Sequence, residues 1–397
     1  MEELFHHLAS AVSQATGYIY PNEAELHWGL LVVVYPYLTG LVAGAFILAS
    51  LEKVFRVKEV EPTYRLAMLT ALAFLIIAPL PLQAHLGHPE RSFEIFLTPH
   101  LKSAMAMFGF VYLWYLMLVL LLEIWFEYRA DMVRWSNESH GLKKWMYWVL
   151  SLGSRDLSEQ SLAFDRKAVH VITLVGIPSA FLLHGYVGFI FGSIKANPWW
   201  SSVLMPIVFL FSAIVSGIAL VLLLYYVTTM LRKKALDMAC LDKLASFLLY
   251  ALLIDLTLET LDFVHRLYES EESIEILSEL IFSRLFISLT IVQLLLGTLG
   301  PILLLSFGRF AGMANEFRRT IYFVAALLVQ VGIFSTRWNV VIGGQLFSKS
   351  LRGLTVYKLQ LFGMEGLFVA IALLVLPFLV LWALIKILPP WDEAESR

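Results

Sequence analysis

The run SVLMPIVFLFSAIVSGIALVLLLYYVTTML at residues 202–231 contains thirty residues and no charged side chain. A helix of that length rises about 45 Å, which exceeds the roughly 30 Å hydrocarbon core of a bilayer. A helix also satisfies its own backbone hydrogen bonds in hydrocarbon, where water is absent. The run therefore predicts a transmembrane helix.

Similar runs recur throughout the 397-residue chain, which is 59% hydrophobic and 15% charged, with a mean hydropathy of +0.76. Such a composition cannot hide its apolar surface inside a water-soluble globule. A transmembrane barrel would need short alternating segments instead. We predict an all-α bundle of about nine spans (eight to ten), near 27–51, 64–84, 102–126, 168–192, 202–231, 244–265, 276–307, 319–336 and 361–388. The segment from Trp145 to Leu152 is too short to cross and is predicted to lie at the interface.

No linker divides the chain, so we interpret residues 1–397 as a single integral membrane domain. Within it we predict an extracytoplasmic amphipathic segment (1–26), a cytoplasmic loop (127–167) and a short cytoplasmic tail (389–397). With the N-terminus outside, 20 of the 29 basic residues fall on the cytoplasmic side, as the positive-inside rule requires. The prediction is a multi-pass protein of the cell membrane with its C-terminus in the cytoplasm.

The single cysteine, Cys240, argues against a disulfide framework, a thiolate-ligated iron–sulfur cluster and covalently attached haem. Any electron carrier is expected to be noncovalent or to belong to a partner, and no metal site is predicted. His170 and His184 lie about 21 Å apart along the fourth span, a spacing reminiscent of helices that ligate two haems. No other span holds a matching pair, so a di-haem b cytochrome remains the lesser alternative.

The sixth span carries Asp255, Glu259, Asp262 and Arg266 at i, i+4, i+7 and i+11, which places all four on one helix face. Carboxyl groups held within a membrane are costly and can exchange protons near neutrality, so this face suits a proton path that serves a buried site. The alternatives are ion pairs with neighbouring arginines that only hold the bundle together, or the coupling site of a secondary transporter. The chain shows no convincing internal repeat of the kind many transporters have.

The stretch from Arg337 to Gln345 places an arginine, an asparagine, two glycines and a glutamine at the end of an apolar span. Polar groups at such a position are a site hypothesis by default, and we predict a pocket for a quinone headgroup. His27 opens the first span, where its imidazole suits a hydrogen bond to a quinone carbonyl. A histidine beside Trp28 is also ordinary for the membrane interface.

Small residues at four-residue spacing recur at Gly40 and Gly44 and again at Gly185, Gly188 and Gly192, and this pattern favours close helix packing. The loop Asn197-Pro198-Trp199-Trp200 is typical of an interfacial aromatic belt, with a flat aromatic wall beside a quinone ring as the alternative.

Four stretches resemble, in the same order along the chain, the NrfD/polysulfide reductase (PsrC-like) membrane-subunit family. They are YPYLTGLVAGAF (35–46), LGHPER (86–91), the His184-Gly185 helix leading to NPWW (197–200), and RWNVVIGGQ (337–345). Within that family the chain is most similar to HybB-like hydrogenase subunits and DsrP-like subunits of sulfite-reduction-associated complexes.

The resemblance implies a quinone-interacting integral membrane subunit, with menaquinone as the expected quinone and no haem or iron–sulfur cluster of its own. It implies docking on an extracytoplasmic, ferredoxin-like iron–sulfur subunit and further redox subunits, in an anaerobic respiratory chain linked to sulfur or sulfite metabolism. In related subunits a histidine near the outer end of the first helix contacts the quinone, and His27 matches that position. The chain is not expected to be active alone.

The predicted site combines these inferences. Catalytic roles are assigned to His27, Arg337, Asp255, Glu259 and Asp262, and quinone binding to His27, Arg91, His184, Trp199, Arg337, Asn339 and Gln345. In this hypothesis His27 orients or protonates the quinone, Arg337 stabilises its reduced anionic form, and Asn339 with Gln345 shapes the loop.

Overall fold

The structure, a computed structural model, describes residues 15–23, 26–98, 100, 102–103, 114–269 and 273–391. Its helices are α1 (Leu30–Lys53), α2 (Glu61–Ile77), α3 (Leu80–His85), α4 (Glu94–Leu97), α5 (Leu121–Glu138), α6 (Gly141–Leu150), α7 (Glu159–Gly192), α8 (Met205–Leu231), α9 (Met238–Glu269), α10 (Ile274–Glu279), α11 (Gly300–Phe310), α12 (Asn315–Trp338) and α13 (Leu367–Ile387). Wider π-helical segments cover Tyr115–Leu120, Leu280–Arg284, Phe286–Leu299 and Asn339–Gly343. Short 3₁₀ turns cover Pro21–Glu23, Lys58–Val60 and Pro89–Arg91.

Within the described ranges, eight helical segments are long and apolar enough to cross a membrane. They correspond to eight of the nine predicted spans, and the all-α polytopic fold is confirmed. The predicted third span, 102–126, lies partly outside the described residues, as do most of the segment 1–26 and most of the tail 389–397. The range 127–167, predicted to be a cytoplasmic loop, contains the rest of α5, which ends at Glu138, then α6 and the start of α7.

The core is built around α1, which packs against α2, α7, α8, α12 and α13. Close approach at the crossing of α1 and α8 depends on Gly44 and Gly217, because a Cβ on either would overlap the partner backbone. Gly188 of α7 likewise lies against the first turn of α8. Small residues therefore let these helices pack backbone to backbone, as their spacing predicted.

The two ends of the bundle differ in chemistry, and we name them by α1. The His27 end holds the start of α1, the end of α7, the start of α8 and the π-helical turn Asn339–Gly343. These elements meet where Trp28 stacks on Trp200 and where Trp200 donates a hydrogen bond to the backbone oxygen of Val340. This end is closed by a two-stranded antiparallel sheet in which β1 (Thr16–Tyr18) pairs with β2 (Arg352–Leu354). The Lys53 end holds the end of α1 and the start of α2, with basic and acidic side chains in ion pairs.

Candidate functional site

The π-helical turn after α12 supplies backbone acceptors at the His27 end. In a π-helical turn, some backbone carbonyl groups do not accept the hydrogen bonds that they would accept in an α-helix, so they are available to other donors. Such turns are frequent at functional sites. The turn and the residue after it accept hydrogen bonds from Trp199 Nε1 to Asn339 O (2.8 Å), Trp200 Nε1 to Val340 O (2.6 Å) and Asn197 Nδ2 to Gly344 O (2.6 Å). Gly344 is required here, because a Cβ would overlap the indole of Trp200. The fold thus joins two stretches that are about 140 residues apart in the sequence.

Arg337, in the last turn of α12, is completely buried. Its Nη2 lies 2.6 Å from Ser212 Oγ and 3.1 Å from His184 Nε2, and its guanidinium lies 4.2 Å from the centre of the Phe209 ring. A guanidinium only donates hydrogen bonds, so His184 Nε2 must accept. The imidazole hydrogen is then on Nδ1, which faces Thr39 Oγ1 at 3.3 Å. His184 is therefore a neutral imidazole with both nitrogens engaged.

This geometry also bears on the di-haem alternative. The Nε2 atom that His184 would offer to an iron lies against the cationic Arg337. His170 is exposed, and its Nδ1 donates to the backbone oxygen of Lys53 (3.1 Å) at the opposite end of the bundle. These contacts argue against paired axial ligation by His170 and His184.

Arg337 has no carboxylate within ion-pair distance among the described residues. Its Nε and Nη1 make no hydrogen bonds there, and neither does the Oδ1 of the buried Asp255. Asp255 and Glu259 nevertheless lie within electrostatic range of the guanidinium. A buried cation thus faces two acids without forming a salt bridge, an arrangement that is costly to maintain for structure alone.

The acids of α9 have different partners. Asp262 accepts hydrogen bonds from Ser202 Oγ and from Arg266 of its own helix, and Arg266 also donates to the backbone oxygen of Trp199. Asp262 is thus neutralised by an ion pair, as the structural alternative expected, although the arginine belongs to the same helix rather than a neighbour. Ion pairing accounts for Asp262 but not for Glu259 or Asp255.

Glu259 ends a directed chain of hydrogen bonds. Ser288 Oγ donates to Asn339 Oδ1 (2.6 Å), Asn339 Nδ2 donates to Gln293 Oε1 (2.7 Å), and Gln293 Nε2 lies 3.2 Å from both carboxylate oxygens of Glu259. Each amide donates in the same direction, so the Glu259 carboxylate is the final acceptor. The chain fixes the orientation of both amides and of the carboxylate.

A cavity of about 400 Å³ lies beside this chain. It is bounded by α8, α9, the segment Phe286–Leu299 and the end of α12, and its polar lining includes Glu259, Gln293 and Asn339. Most other lining side chains are apolar, and Phe282 at its edge is 71% exposed. The cavity therefore combines an apolar, partly exposed wall with a few convergent polar groups, which is typical of small-molecule sites.

The predicted site residues fall into three groups. Trp199, Asn339, Glu259 and Asp262 line the cavity, whereas Arg337, His184 and Asp255 are buried and do not line it. Arg91 is exposed in its 3₁₀ turn and also lies outside the cavity lining.

The side chain of Gln345 holds the backbone of Trp28, just before α1, by two hydrogen bonds. Its Oε1 accepts from Trp28 N and its Nε2 donates to Trp28 O, both at 2.9 Å, and the Trp28 ring stacks on Trp200. His27 is exposed next to Trp28, and its ring makes no hydrogen bond with the described residues. The stretch from Arg337 to Gln345 therefore contributes to two places, the cavity wall and the His27 region.

Sequence reasoning missed the residues that connect these groups. No role is assigned from the sequence to Gln293, Ser288, Ser212 or Thr39. The only signal for Gln293 was a polar amide within an apolar span. Its link to Asn339 and Glu259 depends on how three separate helical segments pack.

Comparisons with known proteins agree with this architecture. A family model described as "Polysulphide reductase, NrfD" matches residues 21–349. A selenate reductase subunit of Mesobacillus selenatarsenatis is 33% identical over 321 residues, covering 79% of this chain and 73% of the relative. A putative dimethyl sulfoxide reductase membrane subunit of Halobacterium salinarum is 28% identical over 202 residues, covering 49% of this chain and 42% of the relative. Protein NrfD of Escherichia coli is 27% identical over 202 residues, covering 50% of this chain and 59% of the relative.

Proposed function

This chain belongs to the polysulphide reductase NrfD family, and from that premise we propose that it is the quinone-binding membrane subunit of a multisubunit respiratory oxidoreductase. It exchanges electrons between the membrane quinone pool, with menaquinone as the expected quinone, and an extracytoplasmic iron–sulfur partner. In this proposal the His27 end faces the outside, because the majority of basic residues lies at the opposite end.

The observation that carries the proposal is the cavity of about 400 Å³. Its size is within the range of roughly 300–1,000 Å³ found for small-molecule sites. A quinone has an apolar ring and tail and two carbonyl oxygens, so it needs apolar walls, access from lipid and a few hydrogen-bonding groups. The cavity lining provides all three.

The roles of the lining residues follow from their hydrogen bonds. Asn339 uses one amide hydrogen on Gln293 and keeps a second for a ring carbonyl oxygen. Glu259 is held as an acceptor and takes the proton that a quinol hydroxyl releases on oxidation. Trp199, fixed by its bond to Asn339 O, forms an aromatic side of the cavity.

Oxidation of one quinol releases two protons, and its two electrons pass to the iron–sulfur partner. Within the chain, the α9 face leads from Glu259 to Asp262, one turn nearer the His27 end. The field of Arg337 stabilises negative charge on Glu259 between successive protons. Residues buried behind the cavity therefore tune its acids without contacting the quinone.

The parent complex is proposed to serve anaerobic respiration, with sulfur compounds or a related terminal acceptor as its substrate. The relatives carry the names of selenate and dimethyl sulfoxide reductase subunits, which favours a reductase complex over the secondary transporter alternative.

Filling the cavity tests the proposal. Thr290 lines the cavity, so Thr290→Trp should remove copurifying quinone and lower quinol oxidation by the assembled complex. Leu296→Trp is the matched control, since Leu296 is on the same helical segment but is exposed outside the cavity. Equal quinone content and rates in both variants would contradict the site.

The family resemblance implies a quinone beside His27 instead, and the same assay separates the two positions. If His27→Ala removes quinone while Thr290→Trp does not, the headgroup lies beside the first helix. If only Thr290→Trp acts, the cavity holds it. If neither variant changes quinone content or rate, the proposed function fails.

A further inference from the structure

A second carboxyl group, Glu123, is buried far from the cavity and has no assigned role. It lies on α5, and its side chain is completely enclosed between α2, α5 and α7. Its Oε1 is 3.1 Å from Tyr64 Oη and 2.7 Å from Thr173 Oγ1, while its Oε2 makes no hydrogen bond with the described residues. No basic residue among them lies within ion-pair distance of Glu123.

The hydrogen count around Thr173 indicates the state of Glu123. Thr173 Oγ1 lies 2.7 Å from Glu123 Oε1 and 2.8 Å from Val169 O, but it carries one hydrogen. A carboxylate would leave one of these two short oxygen–oxygen contacts without a hydrogen. A proton on Glu123 supplies the second, and a neutral carboxyl also avoids the cost of an unpaired buried charge.

The surroundings of Glu123 are polar without being charged at close range. Tyr64 of α2, Thr173 of α7 and Tyr115 face it, and the Tyr115 hydroxyl is buried without a hydrogen bond in the described part of the chain. The nearest charged groups are Lys53 and Glu127. They lie on the side of Glu123 that leads to the Lys53 end.

A ladder of carboxyl groups connects Glu123 to that end. Glu127 and Asp131 follow at i+4 and i+8 on the same face of α5. Lys53 Nζ lies 3.3 Å from Glu127 Oε2 and 4.1 Å from the centre of the Tyr64 ring, and Tyr64 donates to Glu123. Tyr64 therefore lies between the enclosed carboxyl, which its hydroxyl contacts, and the partly exposed Lys53–Glu127 pair, whose ammonium group packs on the face of its ring.

We propose that Glu123 is a proton-binding site that exchanges with the Lys53 end of the bundle, on the side where Tyr64 and the Lys53–Glu127 pair lie. The ligand is a proton, and the step is the release or capture of that proton by one carboxyl oxygen. When Glu123 is deprotonated, Tyr64 still donates to it, and Thr173 turns its hydrogen from Val169 O to the carboxylate. The two hydroxyl donors then stabilise the charge. The site is independent of the quinone cavity, which is lined by other residues.

Infrared spectroscopy of the purified full-length chain tests the proposal without requiring electron transfer. A protonated, buried carboxyl gives a C=O stretching band that Glu123→Gln should remove, whereas Glu316→Gln, at an exposed carboxyl, should leave it in place. The band should shift after transfer to D₂O and should lose intensity as the pH is raised and the carboxyl is deprotonated. Thr173→Val should move the band without abolishing it, which covers the case of a poorly folding Glu123→Gln.

Reconstituted vesicles supply the directional test. A pH jump on the side that carries Lys53 should change the band faster than a jump on the other side, and Tyr64→Phe should slow that response. A band that never exchanges with D₂O would show a sealed structural carboxyl and overturn the proposal. The absence of any band due to Glu123, or its loss on adding sodium ions, would overturn it too, because the carboxyl would then be ionised or bound to a metal cation.

Discussion

Two helices carry three carboxyl groups each at helical spacing, and they serve opposite ends of the bundle. The members are Asp255, Glu259 and Asp262 in the α9 ladder and Glu123, Glu127 and Asp131 in the α5 ladder. In both ladders the carboxyl nearest the end of the bundle has a basic partner, and the deepest carboxyl has none among the described residues. The shared gradient follows from the cost of charge, which an arginine can offset more easily near the surface.

The ladders differ in what adjoins them. The α9 ladder borders a cavity of about 400 Å³ and faces the buried cation Arg337. In the α5 ladder, Glu123 is instead enclosed by Tyr64 and Thr173, whose hydroxyl groups lie within hydrogen-bond distance of its carboxyl. In our proposals, the same carboxyl pattern therefore serves ligand chemistry in one place and proton binding alone in the other. Spacing in the sequence does not distinguish these outcomes.

The largest effect is expected from replacing Arg337, the buried cation that faces the α9 ladder. Arg337→Gln should lower quinol oxidation by about 10²–10³-fold, as removal of one preorganised charged donor does in other sites, because the α9 acids lose the field that faces them. Arg129→Gln is the control at the Lys53 end, where Arg129 is also buried but pairs with Asp165. Rates are measured per assembled complex, for which Arg129→Gln should be neutral. Equal losses in both variants would contradict a special role for Arg337.

A somewhat smaller effect is expected from the α9 ladder itself. Glu259→Gln should reduce quinol oxidation by about 10²-fold, since it removes a general base. The rate of the unmodified protein should fall at acidic pH as Glu259 is protonated, and the variant should lose this dependence. Glu275→Gln, at an exposed carboxyl near the same end, is the matched control. An unaltered pH profile in Glu259→Gln would assign the base elsewhere.

The ion pairs of the α5 ladder should contribute to stability rather than to chemistry. Arg65 pairs with Glu127 at 3.0 Å and with Asp131 at 2.9 Å, so Arg65→Gln removes the nearer basic partner of both acids. The expected loss is about 1–3 kcal/mol, measured by thermal unfolding of the purified chain. Lys243→Gln, which breaks the more exposed pair with Glu59, should have a smaller effect than Arg65→Gln, because solvent screens an exposed pair. A reversed order would show that depth does not govern these pairs.

The smallest effect concerns a neutral hydrogen bond away from both ladders. Tyr357 Oη accepts from Leu30 N at 3.1 Å, so Tyr357→Phe should cost about 1 kcal/mol. Burial raises the pKa of Tyr357 above its usual value, so the folded chain keeps the phenol proton at a higher pH than the unfolded chain. Its contribution is complete below about pH 10 and is lost as the pH rises through the folded-state pKa. The unfolding temperatures of the unmodified protein and of Tyr357→Phe should therefore differ at neutral pH, and the difference should shrink at alkaline pH. Proton exchange at Glu123 should be the same in both proteins.

The acids of α9 and the pair Arg337 and His184 show which features of the site could be predicted from the sequence and which could not. Helical spacing placed Glu259 and Asp262 on one face, and the structure has both at the cavity. Arg337 and His184 were each singled out, but their contact at 3.1 Å was not expected, because they are 153 residues apart. Neither of the two side chains lines the cavity. Whether they act on the quinone stays a prediction for the variants above.

Composition and apolar run length, by themselves, determined an α-helical membrane bundle, because hydrocarbon accepts only segments that satisfy their own backbone. Ordered motifs along the chain likewise determined its family. Only the tertiary structure decided that Gln293 joins Asn339 to Glu259 beside a cavity, and that Glu123 is enclosed by Tyr64 and Thr173. Hydrogen bonds of this kind depend on positions within a few tenths of an ångström between helices that are distant in sequence, and helical periodicity specifies only the face on which each residue lies.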